Sequence, residues 1–417
     1  MGVIEIVPEV RRPLRLIGIA GGLALFFELM VLFCWLVRNL IDFLDIAVYR
    51  AGGQALLDGI PLYAKDFGTL SGTGYPFTYP PFAAILFVSL AVLPWVVAAA
   101  VVTGGSLLSL CGVTFAVARR RYGRTSKAAW FAGAATVIGL ASEPVRETIS
   151  YGQINLILMA LVLADCLLPR TPWPRGMLIG IAAAIKLTPA YFVLFFLPSR
   201  QWRPPIVAGV TFVVATLIGW LAAPSATRAY WFGALGETER IGGPSYAGNQ
   251  SLSGFVHRLD LDGAALPRLL WLLGAAAVTL ICWRAVRRAR AAGNPTAALL
   301  AVATAGLLAS PVSWTHHWVW AVPAGLWVAL RLHRRGRLTT IGFAAMVAVF
   351  LVAPQWFLPH EFGRELAWAP WQHLVGNVYV WLGLAFLIAL AWRTYRRADE
   401  PADEPPVSTA HGNQSSR

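Results

Sequence analysis

The sequence predicts an all-α membrane protein that crosses the bilayer many times. Hydrophobic residues make up 57% of the 417 residues and charged residues only 13%, and the mean hydropathy is +0.62. No water-soluble globular domain needs so much apolar surface, so a cytosolic enzyme is excluded. At ~20 apolar residues per transmembrane helix, the apolar stretches suffice for about 11 crossings, within a range of about 10–13. Little length remains for an independent soluble domain.

The apolar segments give the candidate spans in chain order. Spans are predicted over about 14–37, 94–118, 126–142, 153–168, 176–198, 204–223, 264–283, 296–310, 317–331, 338–354 and 372–393. The shorter segment 80–93 is expected to be re-entrant or interfacial. Pro189 is expected to break 176–198 into two half-helices. Residues 1–398 thus form one expected transmembrane domain, and the polar tail 399–417 is expected to be disordered.

The basic residues predict the orientation of the chain. If the N-terminus is cytoplasmic, the connections on that side hold 23 of the 34 Lys and Arg residues, as the positive-inside rule requires. Both termini are then cytoplasmic in a multi-pass protein of the plasma membrane. The opposite connections hold 12 of the 20 acidic residues, so potential chemistry collects on the extracytoplasmic side. The net charge of +14 reflects this topology, and no nucleic-acid partner is expected, because the basic residues stand in short clusters between apolar runs.

Two aspartates directly follow the first predicted span. Asp42 and Asp45 are three residues apart, so a helix would place them on one face. A carboxylate held beside the lipid headgroups can have a raised pKa, which suits a general base. The alternative is that either aspartate caps the helix expected over 46–57.

Aromatic and amide side chains follow at the same membrane edge. Tyr79 lies in the Pro-rich aromatic segment 75–82, which is typical of an interfacial belt but can also form a wall for a lipid or a sugar. Gln153 and Asn155 begin an apolar span and need hydrogen-bond partners there. Amides suit sugar hydroxyls, and helix packing through these amides is the alternative.

Lys186 stands in the middle of an apolar segment, where a cation is costly unless it faces water, an anion or a partner. A phosphate is one candidate partner, and pairing with Asp165 is the alternative. His316 and His317 can donate to phosphate, relay a proton or ligate a metal. Because neighbouring helical residues point about 100° apart, one site is expected to use only one of them. A metal would need ligands from distant segments, so no metal site is predicted.

Six motifs together resemble glycosyltransferase family 87. They are DIAVYR from Asp45, FTYPPF from Phe77, GQIN from Gly152, IKLTP from Ile185, NQSL from Asn249 and SPVSWTHH from Ser310. The resemblance implies the GT-C fold and an inverting α-mannosyltransferase that takes mannose from polyprenyl monophosphomannose. The implied acceptor is a mannosylated lipid, namely a phosphatidylinositol mannoside, lipomannan or lipoarabinomannan, and α-(1→2) linkages are common in the family.

Carried over by position, the GT-C catalytic aspartate corresponds to Asp45, with Asp42 as the alternative. The candidate donor-phosphate ligands are Lys186, Arg146, His316 and His317, and the candidate sugar or acceptor ligands are Tyr49, Tyr79, Gln153, Asn155, Asn249 and Gln250. No cofactor is expected. Because a monophosphate donor has less need of a bridging metal than a nucleotide diphosphate, we expect activity without added divalent ions.

Two other functions fit the same residues. A transporter or flippase for a lipid-linked sugar would use the same amides and cations without breaking a bond, although no internal repeat of the transporter kind is visible. An arabinofuranosyltransferase that uses decaprenyl-phospho-arabinose would share the general plan of the resembling enzymes. An assay of the products distinguishes these functions, because a transferase releases free polyprenyl phosphate whereas a transporter only relocates the intact lipid.

Overall fold

The computed structural model describes residues 43–237, 240, 242–332 and 336–393. Within these residues the chain is helical, with one isolated antiparallel bridge between Asn249 and Trp314. The predicted span 14–37, Asp42 and the tail 399–417 lie outside the described residues.

The α-helices are numbered here in chain order. They are α1 Leu44–Asp58, α2 Phe67–Leu70, α3 Pro81–Ala91, α4 Trp95–Tyr122, α5 Ser126–Ala141, α6 Glu143–Ser150, α7 Asn155–Leu167, α8 Met177–Ile185, α9 Arg203–Ala222, α10 Pro224–Phe232, α11 Leu252–His257, α12 Ala265–Ala291, α13 Pro295–Ala309, α14 Ala321–Leu332, α15 Arg337–Val352, α16 Pro370–Gly376 and α17 Val378–Trp392. Short 3₁₀ helices cover Thr188–Phe195, Leu197–Ser199, Ala234–Gly236, Thr315–Trp320, Pro354–Phe357 and Arg364–Ala367.

The long apolar helices make this a multi-pass membrane protein. Among the described residues, α4, α9 and α12 are long and apolar enough to cross a bilayer. Two further pairs, α5 with α6 and α16 with α17, bend by 69° and 66°, and they raise the number to five if each pair forms one span. Helices lie on every predicted span from 94–118 onward, because backbone in lipid must satisfy its own hydrogen bonds. The predicted total of about 11 spans remains a prediction.

Local sequence signals set the ends of these helices. The Thr125 hydroxyl accepts a hydrogen bond from the Ala128 amide and caps α5. The Asn294 side chain caps α13, whose first residue is Pro295. Polar caps replace the backbone partners that a helix end lacks, so each apolar run begins at a defined residue.

Pro189 breaks the apolar segment 176–198, as predicted. Helix α8 ends at Ile185, Lys186 has an extended backbone with φ −148° and ψ 122°, and a 3₁₀ helix continues from Thr188. A proline ring clashes with the carbonyl four residues earlier and disfavours helical geometry at the residue before it. The break therefore places Lys186 at a helix end.

Helix α13 lies at the centre of the described helices. It packs against α12, α17, α7 and the 3₁₀ helix Thr188–Phe195. Its alanines, among them Ala297, Ala301 and Ala305, are fully buried. Small residues let helix backbones approach closely where lipid gives no hydrophobic drive for association.

The helices bring two different groups of residues to opposite ends of the bundle. One end holds the start of α1, the start of α7 and the C-terminal ends of α8 and α13. The other end holds the arginine-rich C-terminal turns of α4 and α12. Because successive helices run in alternating directions, connections far apart in the chain meet at the same end of the bundle. The polar motifs therefore lie together at one end.

Candidate active site

A cavity of about 1090 Å³ lies at the end of the bundle that holds the start of α1. Its walls come from α1, segment 75–80, the turn at 151–153, the break after α8, the loop after α10, and residues 309–317, together with parts of α12 and α13. The sequence-predicted residues that line it are Asp45, Tyr79, Gln153, Lys186, His316 and His317. Six candidates from five separate parts of the chain therefore lie around one space.

Asp45 faces this cavity from the first turn of α1. The helix begins at Leu44 after Phe43 with no side-chain cap, so the alternative of Asp45 as an N-cap is wrong. The Asp45 amide donates to the Tyr151 carbonyl at 2.9 Å, which ties α1 to the turn before α7. Burial raises the pKa of Asp45 above its ordinary value, to about 6, while the Lys186 charge and the Gln153 side chain oppose the rise. Such a carboxylate is ionised near neutral pH and still basic enough to take a proton.

Gly152 allows the close approach of this turn to α1. Its φ is +68°, and a Cβ there would lie 2.3 Å from Ile46 Cγ1 and 2.5 Å from Ile46 Cδ1. Any side chain at this position would push the turn away from α1. Gly152 therefore fixes where the next residue, Gln153, meets Asp45.

We expect Gly152→Ala to lower the free energy of unfolding by about 1–3 kcal/mol and to reduce the transfer rate, because it combines overpacking with a strained φ. The matched control is Gly59→Ala, since Gly59 has φ +69° but nothing within 4 Å of the added Cβ. Thermal unfolding of both purified variants measures the difference. Equal destabilisation of the two variants would contradict the steric role.

Lys186 reaches into the cavity from the break after α8. Its Nζ donates to Asn155 Oδ1 at 3.1 Å and lies 3.0 Å from His317 Nε2. It also lies 5.8 Å from the centre of the Tyr79 ring and attracts the Asp45 carboxylate. The cavity thus places one ammonium beside one carboxylate, with amide and imidazole groups orienting the ammonium.

The alternative partner Asp165 is wrong for Lys186. Asp165 accepts hydrogen bonds from the Gly176 and Ile179 amides at 2.9 and 3.1 Å and from Trp173 Nε1 at 3.2 Å. These donors lie at the start of α8, one helix length away from Lys186. The carboxylate caps that helix end, so it does not compensate the Lys186 charge.

His316 and His317 belong to the 3₁₀ helix Thr315–Trp320. We expected one of them at the site, but both line the cavity, with ring centroids 4.8 Å apart and nearly perpendicular planes. Thr148 Oγ1 and Asn155 Nδ2 donate hydrogen bonds to the His316 carbonyl at 2.9 and 3.1 Å. His316 Nε2 is buried and has no protein partner within the described residues. One imidazole therefore contacts Lys186, and the other has a buried nitrogen without a hydrogen-bond partner among the described residues.

Tyr49 stands behind the cavity wall and does not line it. Its hydroxyl lies 3.1 Å from the Tyr79 hydroxyl and donates to Gln153 Oε1 at 3.1 Å, and its ring stacks on Phe87. Tyr79 also donates to Gln153 Oε1, at 3.3 Å. Tyr49 thus fixes two residues that do reach the cavity. Asn155 has the same indirect position, because it holds Lys186 and the His316 backbone.

Asn249 and Gln250 are fully buried behind the cavity wall and do not line the cavity. Asn249 Oδ1 accepts a hydrogen bond from the Ser313 backbone amide at 3.0 Å, and the backbone amide of Gln250 donates to the Ser313 carbonyl at 2.8 Å. Gln250 Nε2 also donates to the Gly376 carbonyl at 2.7 Å. Their expected contact with sugar is therefore corrected: they fasten the loop between α10 and α11 to the segment that leads to the histidines.

Arg146 is also outside the cavity, so its expected phosphate contact is corrected. Its side chain is exposed on α6 and donates to the carbonyls of Ala141 and Leu351 at 2.9 and 3.3 Å. The Arg146 side chain therefore points toward α15, which contains Leu351. The cations that do line the cavity include Lys186 and Arg240.

Several polar or aromatic residues of the cavity wall were not among the predicted site residues. They include Tyr151, Arg240 and Trp314. Tyr151 packs edge-on against His316 at 5.5 Å, and Arg240 donates to the Tyr63 carbonyl at 3.1 Å. Tyr151 directly precedes the GQIN motif, and Trp314 lies inside SPVSWTHH, so both could have been found by treating the aromatic residues in and beside these motifs as candidates. Arg240 stands alone in a loop, and no pattern singled it out.

Residues 77–311 match the profile of Glycosyltransferase family 87. The chain belongs to this family. A relative from Mycolicibacterium smegmatis is 38% identical over 398 residues, which cover 88% of this chain and 89% of the relative. It is named polyprenol-phosphate-mannose-dependent alpha-(1-2)-phosphatidylinositol mannoside mannosyltransferase.

A second relative from the same organism is 35% identical over 408 residues, with 94% of each chain covered. It is named polyprenol-phosphate-mannose-dependent alpha-(1-2)-phosphatidylinositol pentamannoside mannosyltransferase. Among solved structures, ArnT from Cupriavidus metallidurans bound to undecaprenyl phosphate has a TM-score of 0.45 and 17% identity, covering 89% of this chain and 77% of that chain. The two relatives span nearly the whole length of this family 87 chain.

Proposed function

We propose that this protein transfers mannose from polyprenyl monophosphomannose to a phosphatidylinositol mannoside and forms an α-(1→2) linkage. The names of the two relatives support this donor, acceptor class and linkage, because each is at least 35% identical and is covered over about nine tenths or more of its length. The observation that carries the proposal for this chain is the cavity in which Asp45 faces Lys186.

The proposed reaction is a single displacement. Asp45 accepts the proton of an acceptor hydroxyl while that oxygen attacks the anomeric carbon of the donor mannose. The bond from the anomeric carbon to phosphate oxygen breaks, and polyprenyl phosphate leaves from the opposite face with the electron pair. The configuration at the anomeric carbon is therefore inverted. Asp42 lies outside the described residues and stays the alternative base.

Lys186 stabilises the charge that develops on the leaving phosphate. Phosphate is already a good leaving group, so it needs charge stabilisation more than protonation. Asn155 and His317 hold the ammonium in place at 3.1 and 3.0 Å, so it need not reorganise during the reaction. The unpartnered His316 Nε2 gives the phosphate or a sugar hydroxyl a further hydrogen-bond partner.

The cavity also suits the isoprenoid chain of the donor. Beyond Lys186 its wall consists of small or apolar residues of α12 and α13, including Ala276, Leu280 and Gly306. Leu280 is 72% exposed, so this side of the cavity opens toward the lipid. The donor can thus keep its chain in the bilayer while its phosphate meets Lys186.

The cavity is proposed to face the extracytoplasmic side. The arginine-rich ends of α4 and α12 lie at the opposite end of the bundle, and the positive-inside rule assigns that end, with both termini, to the cytoplasm. In intact cells of a variant without native cysteines, a membrane-impermeant thiol reagent should label Asp66→Cys but not Arg124→Cys. The reverse labelling pattern would overturn this orientation.

The function is tested with purified protein, polyprenyl-phospho-mannose and a phosphatidylinositol mannoside. Mass spectrometry should show that the acceptor gains one hexose for each polyprenyl phosphate released, and a linkage-specific α-(1→2)-mannosidase should remove that hexose. The same yield is expected with a metal chelator present. Donor that is only relocated intact across a vesicle membrane would instead identify a flippase, and transfer from decaprenyl-phospho-arabinose alone would identify an arabinofuranosyltransferase.

A further inference from the structure

A second cavity, of about 410 Å³, lies at the arginine-rich end of the bundle. Its walls include the cations Arg175, Arg203 and Arg290 and the aromatic residues Phe195, Phe196 and Trp202. None of these residues takes part in the proposed transfer reaction.

This pocket is distinct from the active-site cavity. Helix α7 starts at Asn155, which holds Lys186, and its last turn contains Cys166, which lines the second cavity. At ~1.5 Å per residue, the length of α7 separates its two ends by about 20 Å. A ligand in the arginine pocket therefore cannot touch the reacting groups.

The arginines of the pocket form no ion pair with a carboxylate of the described residues. Arg175 and Arg290 lie close enough to Arg120 for their charges to repel one another. The nearby Asp165 carboxylate is occupied by two backbone amides and Trp173. The ion pair between Arg240 and Glu237 lies in the loop between α10 and α11, away from this pocket. Cations that repel one another around a cavity, and that form no ion pair there, favour an anionic ligand.

The individual arginines differ in how much of their hydrogen-bonding capacity is used. Arg175 donates to the carbonyls of Asp165 and Leu168 at 2.9 and 2.6 Å. Arg290 donates to Gln201 Oε1 at 2.9 Å and lies over the Phe195 ring. Arg203 is exposed and has no hydrogen-bond or ion-pair partner among the described residues. Arg203 and Arg290 thus keep donors available for an anion.

The pocket is open to lipid from the side. Helix α9, which begins at Arg203, is mostly exposed, with Ile206 at 63% and Val210 at 58%. Trp202 is 59% exposed at the start of this helix, a position where tryptophan is typical of the membrane–water interface. Phe195 and Phe196 are buried and give the pocket an apolar wall. An occupant with both a phosphate and an acyl chain fits these surroundings better than a soluble ion.

We propose that this cavity binds the headgroup of an anionic phospholipid from the leaflet opposite the active-site cavity. The guanidinium groups of Arg203 and Arg290 donate hydrogen bonds to its phosphate. Guanidinium groups bind phosphate oxygens in pairs, and basic pockets at the ends of transmembrane helices suit such headgroups. The acyl chains then lie along the exposed apolar side of α9. This site goes beyond the transfer reaction and does not depend on it.

Native mass spectrometry of the full-length protein in detergent, titrated with phosphatidylglycerol, tests the proposal. Arg203→Gln should weaken binding about tenfold, because a lost charge-assisted hydrogen bond changes the binding constant by roughly that factor. The double variant Arg203→Gln with Arg290→Gln should bind more weakly still. The matched control is Arg287→Gln, an exposed arginine on α12 that does not line the pocket, and it should bind like the wild type.

Two further titrations distinguish the source of the phosphate. Phosphatidylcholine should bind more weakly than phosphatidylglycerol, and inorganic phosphate should not displace bound phosphatidylglycerol at equal concentration. Equal binding of phosphatidylglycerol to the wild type, Arg203→Gln and the double variant would overturn the proposal. Displacement by inorganic phosphate would also overturn it, because it would indicate a site for soluble anions. The Arg203 side chain is exposed and has no partner in the part of the chain that the structure describes, so we expect its substitution to leave the fold intact.

Discussion

Replacing Asp45 by asparagine is expected to lower kcat for mannose transfer by on the order of 10³-fold. The amide keeps the size of the side chain but cannot accept a proton from the acceptor hydroxyl. Binding of polyprenyl phosphate should change little, because Lys186 and the histidines remain in the cavity wall. A hexose-transfer assay at saturating donor and acceptor gives kcat, and a separate titration with polyprenyl phosphate gives its Kd.

The matched control is Asp58→Asn, the same substitution at the other end of α1. Asp58 is exposed, accepts a hydrogen bond from Gln54 and does not line the active-site cavity, so this variant should retain full activity. Full activity of Asp45→Asn would exclude Asp45 as the base. Loss of activity in Asp42→Asn with none in Asp45→Asn would move the assignment to the alternative residue.

Replacing Lys186 by methionine is expected to lower kcat by on the order of 10²-fold, because a preorganised positive charge at the leaving group is lost. Methionine keeps much of the length of the side chain. Lys65→Met is the control, since Lys65 is exposed outside the cavity. Lys186→Arg should retain more activity than Lys186→Met because it keeps the charge.

Lys186→Met should also change the pH dependence of transfer. The base acts as a carboxylate, so activity falls as the pH decreases through the pKa of Asp45, which burial raises to about 6. The Lys186 charge favours the carboxylate and opposes that rise. Without it the pKa rises further, and the acidic limb of the kcat/KM profile of Lys186→Met should move to higher pH. An unmoved limb would show that the two side chains do not interact as the structure indicates.

The positions of the helices could be predicted from the sequence because lipid leaves the backbone few choices. Every uninterrupted apolar run has to form a helix, and Pro189 has to end one. Lys186 could be recognised for the same reason, since a cation in an apolar run needs a special environment. These inferences need only one stretch of chain at a time.

The neighbours of each side chain could not be predicted in this way. Gln153 and Asn155 are two residues apart, yet Gln153 lines the cavity and Asn155 holds Lys186 from behind. Gln153 lies in the turn before α7, whereas Asn155 is the first residue of the helix, so the two side chains leave the backbone in different directions. Asn249 and Gln250 show the same limit, because an amide satisfies a backbone carbonyl as well as a sugar hydroxyl.

The exposed side of the cavity at Leu280 has a kinetic consequence. A donor that reaches its site sideways from the bilayer never passes through water, so the quantity that saturates the enzyme is the mole fraction of donor in the membrane. Adding inert phospholipid at a fixed amount of donor would slow turnover by surface dilution. Diluting the same vesicles with buffer would leave turnover per enzyme unchanged.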